Sequence, residues 1–250
     1  MNGLRVLNTR PFKQGAALSQ AIREAGGLPI DLPALIIEPT LSDWLAQLPV
    51  LDSIHLALFV SANAVDCFFA PLKQTSRSWP AGICVIAMGT ATAEALNKQG
   101  IQVHHAPTIA DSEHLLTLNA LQQIQNDTVL LVKGVGGRTL IAETLLARGA
   151  RLIPLDVYLS KAPTFNRTEI NSLWQDDAVD IILLTSEQAI RNLVMAFSGE
   201  GLAWLCNKPC IVISDRLAAV ADSLGMKHIL LCHHDMILTA LKGFKHDGYP

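Results

Sequence analysis

Short apolar runs alternate with amphipathic stretches along the whole chain. The runs are Arg5-Val6-Leu7, 56–60, 83–88, 129–132, 181–184, 210–213 and 228–231, each followed by a polar turn. Between them apolar positions recur at i, i+3 and i+4, as in Ala17, Leu18, Ala21, Ile22 and Ala25. That period places them on one face of a helix. Gly26, Gly100, Gly149 and Gly225 close four of these stretches, where a helix is stopped by a residue that tolerates left-handed backbone. Strand and helix in alternation predict βαβ units and a mostly parallel sheet. The continuous apolar character of the runs predicts strands covered on both faces.

The pattern also repeats. LFVSANAV (58–65) aligns with LLTSEQAI (183–190), and IAMGTATAEALNKQG (86–100) with IVISDRLAAVADSLG (211–225), both at an offset of 125 residues. ALSQAIREAGGLPIDLPAL (17–35) aligns with LIAETLLARGARLIPLDVY (140–158) at an offset of 123. A shared offset across separate blocks indicates internal duplication. Segments 28–39 and 151–163 are long, extended and marked by proline, and each follows a helix. They read as two crossings between lobes. The predicted fold class is therefore α/β: two similar parallel-sheet lobes joined by a two-stranded crossover linker, with a cleft between them. Residues 1–37 plus 162–250 form one lobe and 38–161 the other. Two crossings restrict a hinge more than one would, yet allow opening and closing.

Composition narrows the class. Half of the 250 residues are hydrophobic and 16% are charged, which excludes a disordered chain. The formal net charge is -3, and no polybasic cluster appears. Nothing favours a nucleic-acid partner, which needs a basic stripe. No run approaches the ~20 apolar residues of a membrane span, and no basic segment precedes an apolar one at the N-terminus. The expectation is a cytoplasmic protein without a membrane partner. Five cysteines, an odd number, argue against a disulfide framework. They read as buried thiols in a reducing compartment.

In open α/β sheets ligands bind beyond the carboxyl ends of the strands. The residues there are Thr9-Arg10, Ser61-Ala62-Asn63, Gly89-Thr90-Ala91-Thr92, 133–138 with Gly134 and Arg138, Thr185-Ser186-Glu187-Gln188 and Ser214-Asp215-Arg216. Most open a helix. Helix N-termini present N–H donors and a positive dipole end, so several facing one cleft would bind anions. The alternative at each turn is ordinary capping by Ser, Thr or Asp. KGVGGRT (133–139) is either a weak phosphate loop or a glycine turn with a solvated Arg138, since it fits neither common phosphate-loop pattern. His104-His105 and His233-His234 are adjacent pairs that point to opposite faces of a strand and cannot easily share a metal. Asp176, Asp177 and Asp180 read as a solvated helix end. Tyr158 stands out: the chain has two tyrosines, Tyr249 lies in the tail, and Tyr158 sits on the second crossing. It either faces the cleft or packs the hinge.

The chain resembles the uroporphyrinogen-III synthase family. The resemblance rests on VLNTRP (6–11), GGLPIDLPALIIEP (26–39), FVSANAV (59–65), AMGTATAEAL (87–96), ADSEHLL (110–116), RGARLIPLDVY (148–158) and LLTSEQAI (183–190), in the family's order. It implies two α/β lobes joined by a two-stranded ladder. It implies a cofactor-free, metal-free, monomeric lyase acting on hydroxymethylbilane, a linear tetrapyrrole with eight carboxylates. The product would be uroporphyrinogen III, with the terminal ring inverted and water lost. The preceding pathway enzyme is a possible partner under the same resemblance. Tyr158 corresponds to the family's candidate general acid, and Ser61, Thr92 and Ser186 to its serine and threonine turn residues. Ser214-Asp215-Arg216-Leu217 departs from the family's GPxT-type turn, because Leu217 stands where a threonine is familiar. That leaves backbone amides rather than a hydroxyl at this position. Two other classes compete: a two-lobed ligand-binding sensor, and a nucleotide-binding α/β protein using KGVGGRT.

Overall fold

The computed structural model describes residues 1–41, 43–233 and 236–244. The elements, in chain order, are β1 (Arg5–Asn8), α1 (Phe12–Glu24), β2 (Leu28–Asp31), β3 (Ile36–Pro39), α2 (Trp44–Gln47), β4 (Leu56–Phe59), α3 (Ala62–Leu72) and β5 (Cys84–Ala87). Then come α4 (Thr90–Lys98), α5 (Ser112–Leu115), β6 (Thr128–Gly134), α6 (Leu140–Ala147), β7 (Arg151–Lys161), α7 (Arg167–Gln175) and β8 (Ile181–Leu184). The last are α8 (Glu187–Ala196), α9 (Gly199–Asn207), β9 (Pro209–Val212), α10 (Asp215–Ser223), β10 (His228–Leu231) and α11 (Ile237–Gly243). The chain divides into two compact units, Met1–Ile36 with Lys161–Pro250, and Ile37–Ser160.

The first unit carries a sheet in the order β10-β9-β8-β1-β2, and every strand pair in it is parallel. β1 and β8 are buried along almost their whole length, as expected of the apolar centre of β1 and the unbroken apolar run of β8. Leu4, Val6, Ile22, Ile181, Leu183 and Ile211 form one side of this aliphatic core. Asp180, expected at a solvated helix end, is instead buried. Its Oδ2 accepts from the Arg5 backbone N–H at 2.7 Å, and its Oδ1 accepts from Arg5 Nε at 3.0 Å. The pair stitches the start of β8 to β1. A carboxylate that deep persists only when paired and hydrogen-bonded. Asp177 is not simply solvated either, because Trp204 Nε1 and Lys208 Nζ both reach it.

The second unit carries a sheet in the order β3-β7-β6-β4-β5. The two extended segments read as crossings thus meet as neighbouring strands, β3 and β7. Its core is aromatic on one face: Trp44, Phe59, Phe68, Phe69 and Trp79 lie with ring centroids 5.1–6.1 Å apart. Each such pair contributes about 0.5–1.5 kcal/mol beyond area burial.

The sequence offsets reappear in strand register. Ala57 pairs with Val85 in the second unit, and Ile182 with Cys210 in the first, again 125 residues on. Thr128 pairs with Arg151, and Arg5 with Leu28, 123 residues back. The Ile86–His105 bridge stands where Ile211 pairs with Leu230. The four closing glycines hold φ of +78°, +78°, +81° and +92°. Each sits two residues past its helix, where a Cβ would be strained. None of the five cysteines forms a disulfide. Only Cys210 is fully buried, its thiol pushed up to about 12 by loss of solvent, while the other four are half-buried.

Candidate active site

The expected strand-end turns do open helices in both units. Ser61, Ser186 and Ser214 each sit in extended backbone at a helix start. Their Oγ atoms accept from the N–H of Ala64, Ala189 and Leu217 at 3.1, 3.1 and 3.3 Å. The capping reading is therefore what these three hydroxyls do locally. Leu217 itself is buried, so that position offers backbone rather than a side chain. Gly89 caps α4 without a side chain, and a Cβ there would lie 2.6 Å from the Ala110 Cβ. Glycine at 89 lets the segment before α5 pass close by. Thr90 is exposed at this turn, whereas Thr92 points inward and is 5% exposed.

The structure brings Tyr158, Ser61 and Gly134 together. β6 lies between β7 and β4, so a side chain from β7 must cross β6 to reach the turn after β4. Pairing of β6 with β7 slips at Lys133/Gly134, so that Gly134 faces Tyr158. A slip of this kind re-aims a side chain. The Tyr158 ring passes over Gly134, where a Cβ would come within 2.7 Å of Cζ. Its Oη then lies 3.1 Å from Ser61 Oγ. Half-buried against the aromatic core, the phenol is pushed up from its ordinary value by desolvation, and the Ser61 contact pulls it partly back. Asn63 stands in the first turn of α3 and is half-exposed.

Arg138 and Arg216 are held by carboxylates. Arg138 makes a two-pronged contact with Glu113, at 2.6 and 3.1 Å, on the exposed rim of the glycine loop. Arg138 is thus paired while still exposed to solvent, and Gly136 and Gly137, at φ +73° and +83°, shape the turn. Arg216 meets Glu187 at 2.6 Å, which also takes Arg191. Lys133 pairs with Asp156 at 2.6 Å.

In the first unit Arg10 lines a cavity of about 200 Å³ with Phe12, Ser19, Arg23, Asp31 and Pro33. Burial lowers the Arg10 guanidinium from its ordinary value. Behind it lies a polar network that sequence reasoning missed. Asn8 Nδ2 donates to Ser19 Oγ at 2.8 Å, to the Gly15 carbonyl at 3.1 Å and to Asp31 Oδ1 at 3.2 Å. A polar residue closing the apolar run of β1 was its one signal.

Among the described residues no group of three or more His, Cys, Asp and Glu could hold a metal. His104 is a strand-end residue whose Nδ1 accepts from Val85 N–H at 3.0 Å. His234 and Tyr249 lie outside the described residues. No helix among the described residues is long and apolar enough to cross a membrane.

A protein-family model described as uroporphyrinogen-III synthase HemD matches residues 16–236, most of the chain. The chain belongs to the uroporphyrinogen-III synthase family. Its curated relatives include the uroporphyrinogen-III synthases of Salmonella typhimurium and Escherichia coli. Each is 31% identical over 96% of this chain and 100% of its own length. Solved structures share the fold: a mutant uroporphyrinogen III synthase from the extreme thermophile Thermus thermophilus has TM-score 0.65 at 17% identity, covering 96% of both chains. The uroporphyrinogen-III synthetase of Helicobacter pylori has TM-score 0.61 at 17% identity, covering 91% of this chain and 92% of its own. Family membership makes the protein an enzyme of tetrapyrrole biosynthesis.

Proposed function

We propose that this uroporphyrinogen-III synthase closes hydroxymethylbilane to uroporphyrinogen III, with Tyr158 as general acid and the strand-end turns of both units as carboxylate sites. The single observation that carries the chemical role is the Tyr158 phenol, raised by burial and set beside a helix-capping serine. A phenol so placed is protonated throughout the neutral range and can donate.

Departure of the terminal hydroxyl is the step that needs a proton. Tyr158 Oη–H protonates that oxygen, the C–O bond breaks with its electron pair going to water, and the pyrrole nitrogen's lone pair fills the gap. The azafulvene that results is attacked by the substituted α-carbon of the far ring, giving a spiro intermediate. This opens and recloses through the unsubstituted carbon, which inverts the ring. Loss of the hydrogen at that carbon returns a proton to the phenolate. The rest of the work is restraint: both ends of a flexible chain must meet in the inverted sense before direct closure occurs.

Eight carboxylates demand positive potential that the overall charge of -3 does not supply. Helix N-termini and backbone amides provide it locally. The turns at Ser61 and Asn63, Gly89, Thr90 and Thr92, and Gly134 with Arg138 would serve from the second unit. Arg10, Ser186, Ser214 and Arg216 would serve from the first. The test is to supply hydroxymethylbilane and separate the isomers. Type III above the spontaneous background supports the proposal; type I alone overturns it.

A further inference from the structure

Resting on the reading of Tyr158 as the acid, we propose that Ser61 is a positioning residue that donates its hydroxyl proton to Tyr158 Oη, so that the phenol's own proton is directed at the departing oxygen. A serine hydroxyl has one proton and two lone pairs. One lone pair is taken, because Ser61 Oγ accepts from Ala64 N–H at 3.1 Å. The remaining choice is the direction of the 3.1 Å contact with Tyr158 Oη. Were Tyr158 the donor, its only proton would be committed to Ser61 and withheld from any substrate. With Ser61 as donor the bonds run in one sense, from Ala64 N–H to Oγ, from Oγ–H to Oη, and from Oη–H outward.

Each bond in such a chain polarises the next. The chain starts at the N-terminus of α3, 11 residues long, whose dipole favours negative charge there. When Oη–H protonates the leaving oxygen, the phenolate left behind accepts a bond from Ser61 Oγ–H that is now charge-assisted. No proton leaves Ser61. The slip between β6 and β7 and the bare Gly134 serve the same geometry, because only without a Cβ at 134 does the ring reach Ser61.

The experiment uses the full chain and hydroxymethylbilane, with Ser61→Ala, Ser61→Thr, Ser61→Asp, Tyr158→Phe and the Ser61→Ala/Tyr158→Phe double variant. A charge-assisted bond present mainly after proton transfer corresponds to roughly 10–100-fold in kcat. Ser61→Ala should lose that much in kcat at nearly constant KM, because the backbone amides of the turn remain to meet a carboxylate, and Ser61→Thr should recover it. Ser61→Asp keeps the helix cap, and hence thermal stability, but has no proton to give, so it should stay slow. The double variant should be no slower than Tyr158→Phe. A tyrosinate absorbance titration adds a readout that capping alone would not move. The transition missing in Tyr158→Phe should shift upward in Ser61→Ala. Ser61→Asp at the wild-type rate, a loss confined to KM, or multiplicative losses in the double variant would overturn the relay while leaving Tyr158 as the acid. A wild-type rate in Tyr158→Phe would remove the acid itself, and the relay with it.

Discussion

Gly134→Ala tests the geometry without touching a functional group. The backbone there is not left-handed, so alanine is sterically allowed by the main chain. What it meets is the Tyr158 ring, with the new Cβ 2.7 Å from Cζ, 2.8 Å from Cε2 and 3.1 Å from Cε1. Ordinary contact begins near 3.4 Å, so the ring edge must retreat by about 0.7 Å or more, and the backbone on both sides is held in a parallel ladder. A retreat of that size displaces Oη relative to Ser61 Oγ and disturbs the geometry of their 3.1 Å contact. Overpacking of this kind costs about 1–3 kcal/mol, or a few degrees in Tm for a chain of this size. The larger effect falls on chemistry, since a misplacement near 1 Å can cost ~100-fold in rate. Steady-state turnover of hydroxymethylbilane with isomer separation should show kcat down about 100-fold, KM little changed, and circular dichroism intact. Wild-type kcat in Gly134→Ala would refute the claim that the ring must lie over this glycine.

Removing the Arg5 side chain takes the guanidinium away from the Asp180 carboxylate, which is 3% exposed. Arg5→Ala should cost roughly 2–3 kcal/mol in urea denaturation, below the usual value for a fully buried pair because Arg5 is itself 37% exposed. The raised phenol of Tyr158 has a definite sign. Below the ordinary tyrosine value of about 10, folded and unfolded chains both hold the proton, so its contribution to stability is intact. Above that value the unfolded chain ionises first, so stability falls as pH rises toward the folded value. The kcat profile should stay flat through neutrality and show an alkaline limb that disappears in Tyr158→Phe. Glu113→Gln releases Arg138 from its carboxylate. Stability should barely change, as expected for an exposed pair, while KM for the bilane should fall. An unchanged KM would take Arg138 out of the carboxylate site.

Much of the fold was legible because it is written in periodicity. The runs at 56–60 and 181–184 became β4 and β8, and the glycines at 26, 100, 149 and 225 marked helix ends because only their φ is positive there. The extended character of 28–39 and 151–163 was also visible. Their pairing as neighbours β3 and β7 was implied by the family resemblance. The site was legible as a set of turns, not as a constellation. The Tyr158–Ser61 contact spans 97 positions and depends on a one-residue slip between β6 and β7. No local pattern encodes that slip. Asp180 was misread because three acidic residues within five positions resemble a solvated end, and its partner Arg5 lies 175 positions away. Arg138 and Arg216 were visible as cations, but the glutamates that occupy them come from other elements.

The central chemical claim is that Tyr158 supplies the proton for hydroxyl departure. Its most direct test is the single-turnover rate of type III formation by Tyr158→Phe, a change that removes one oxygen and leaves the Ser61 cap in place. Loss of a general acid predicts a drop of about 10²–10⁴-fold, with product drifting toward the spontaneous type I isomer. Type III formed at the wild-type rate by a folded Tyr158→Phe chain would contradict the account.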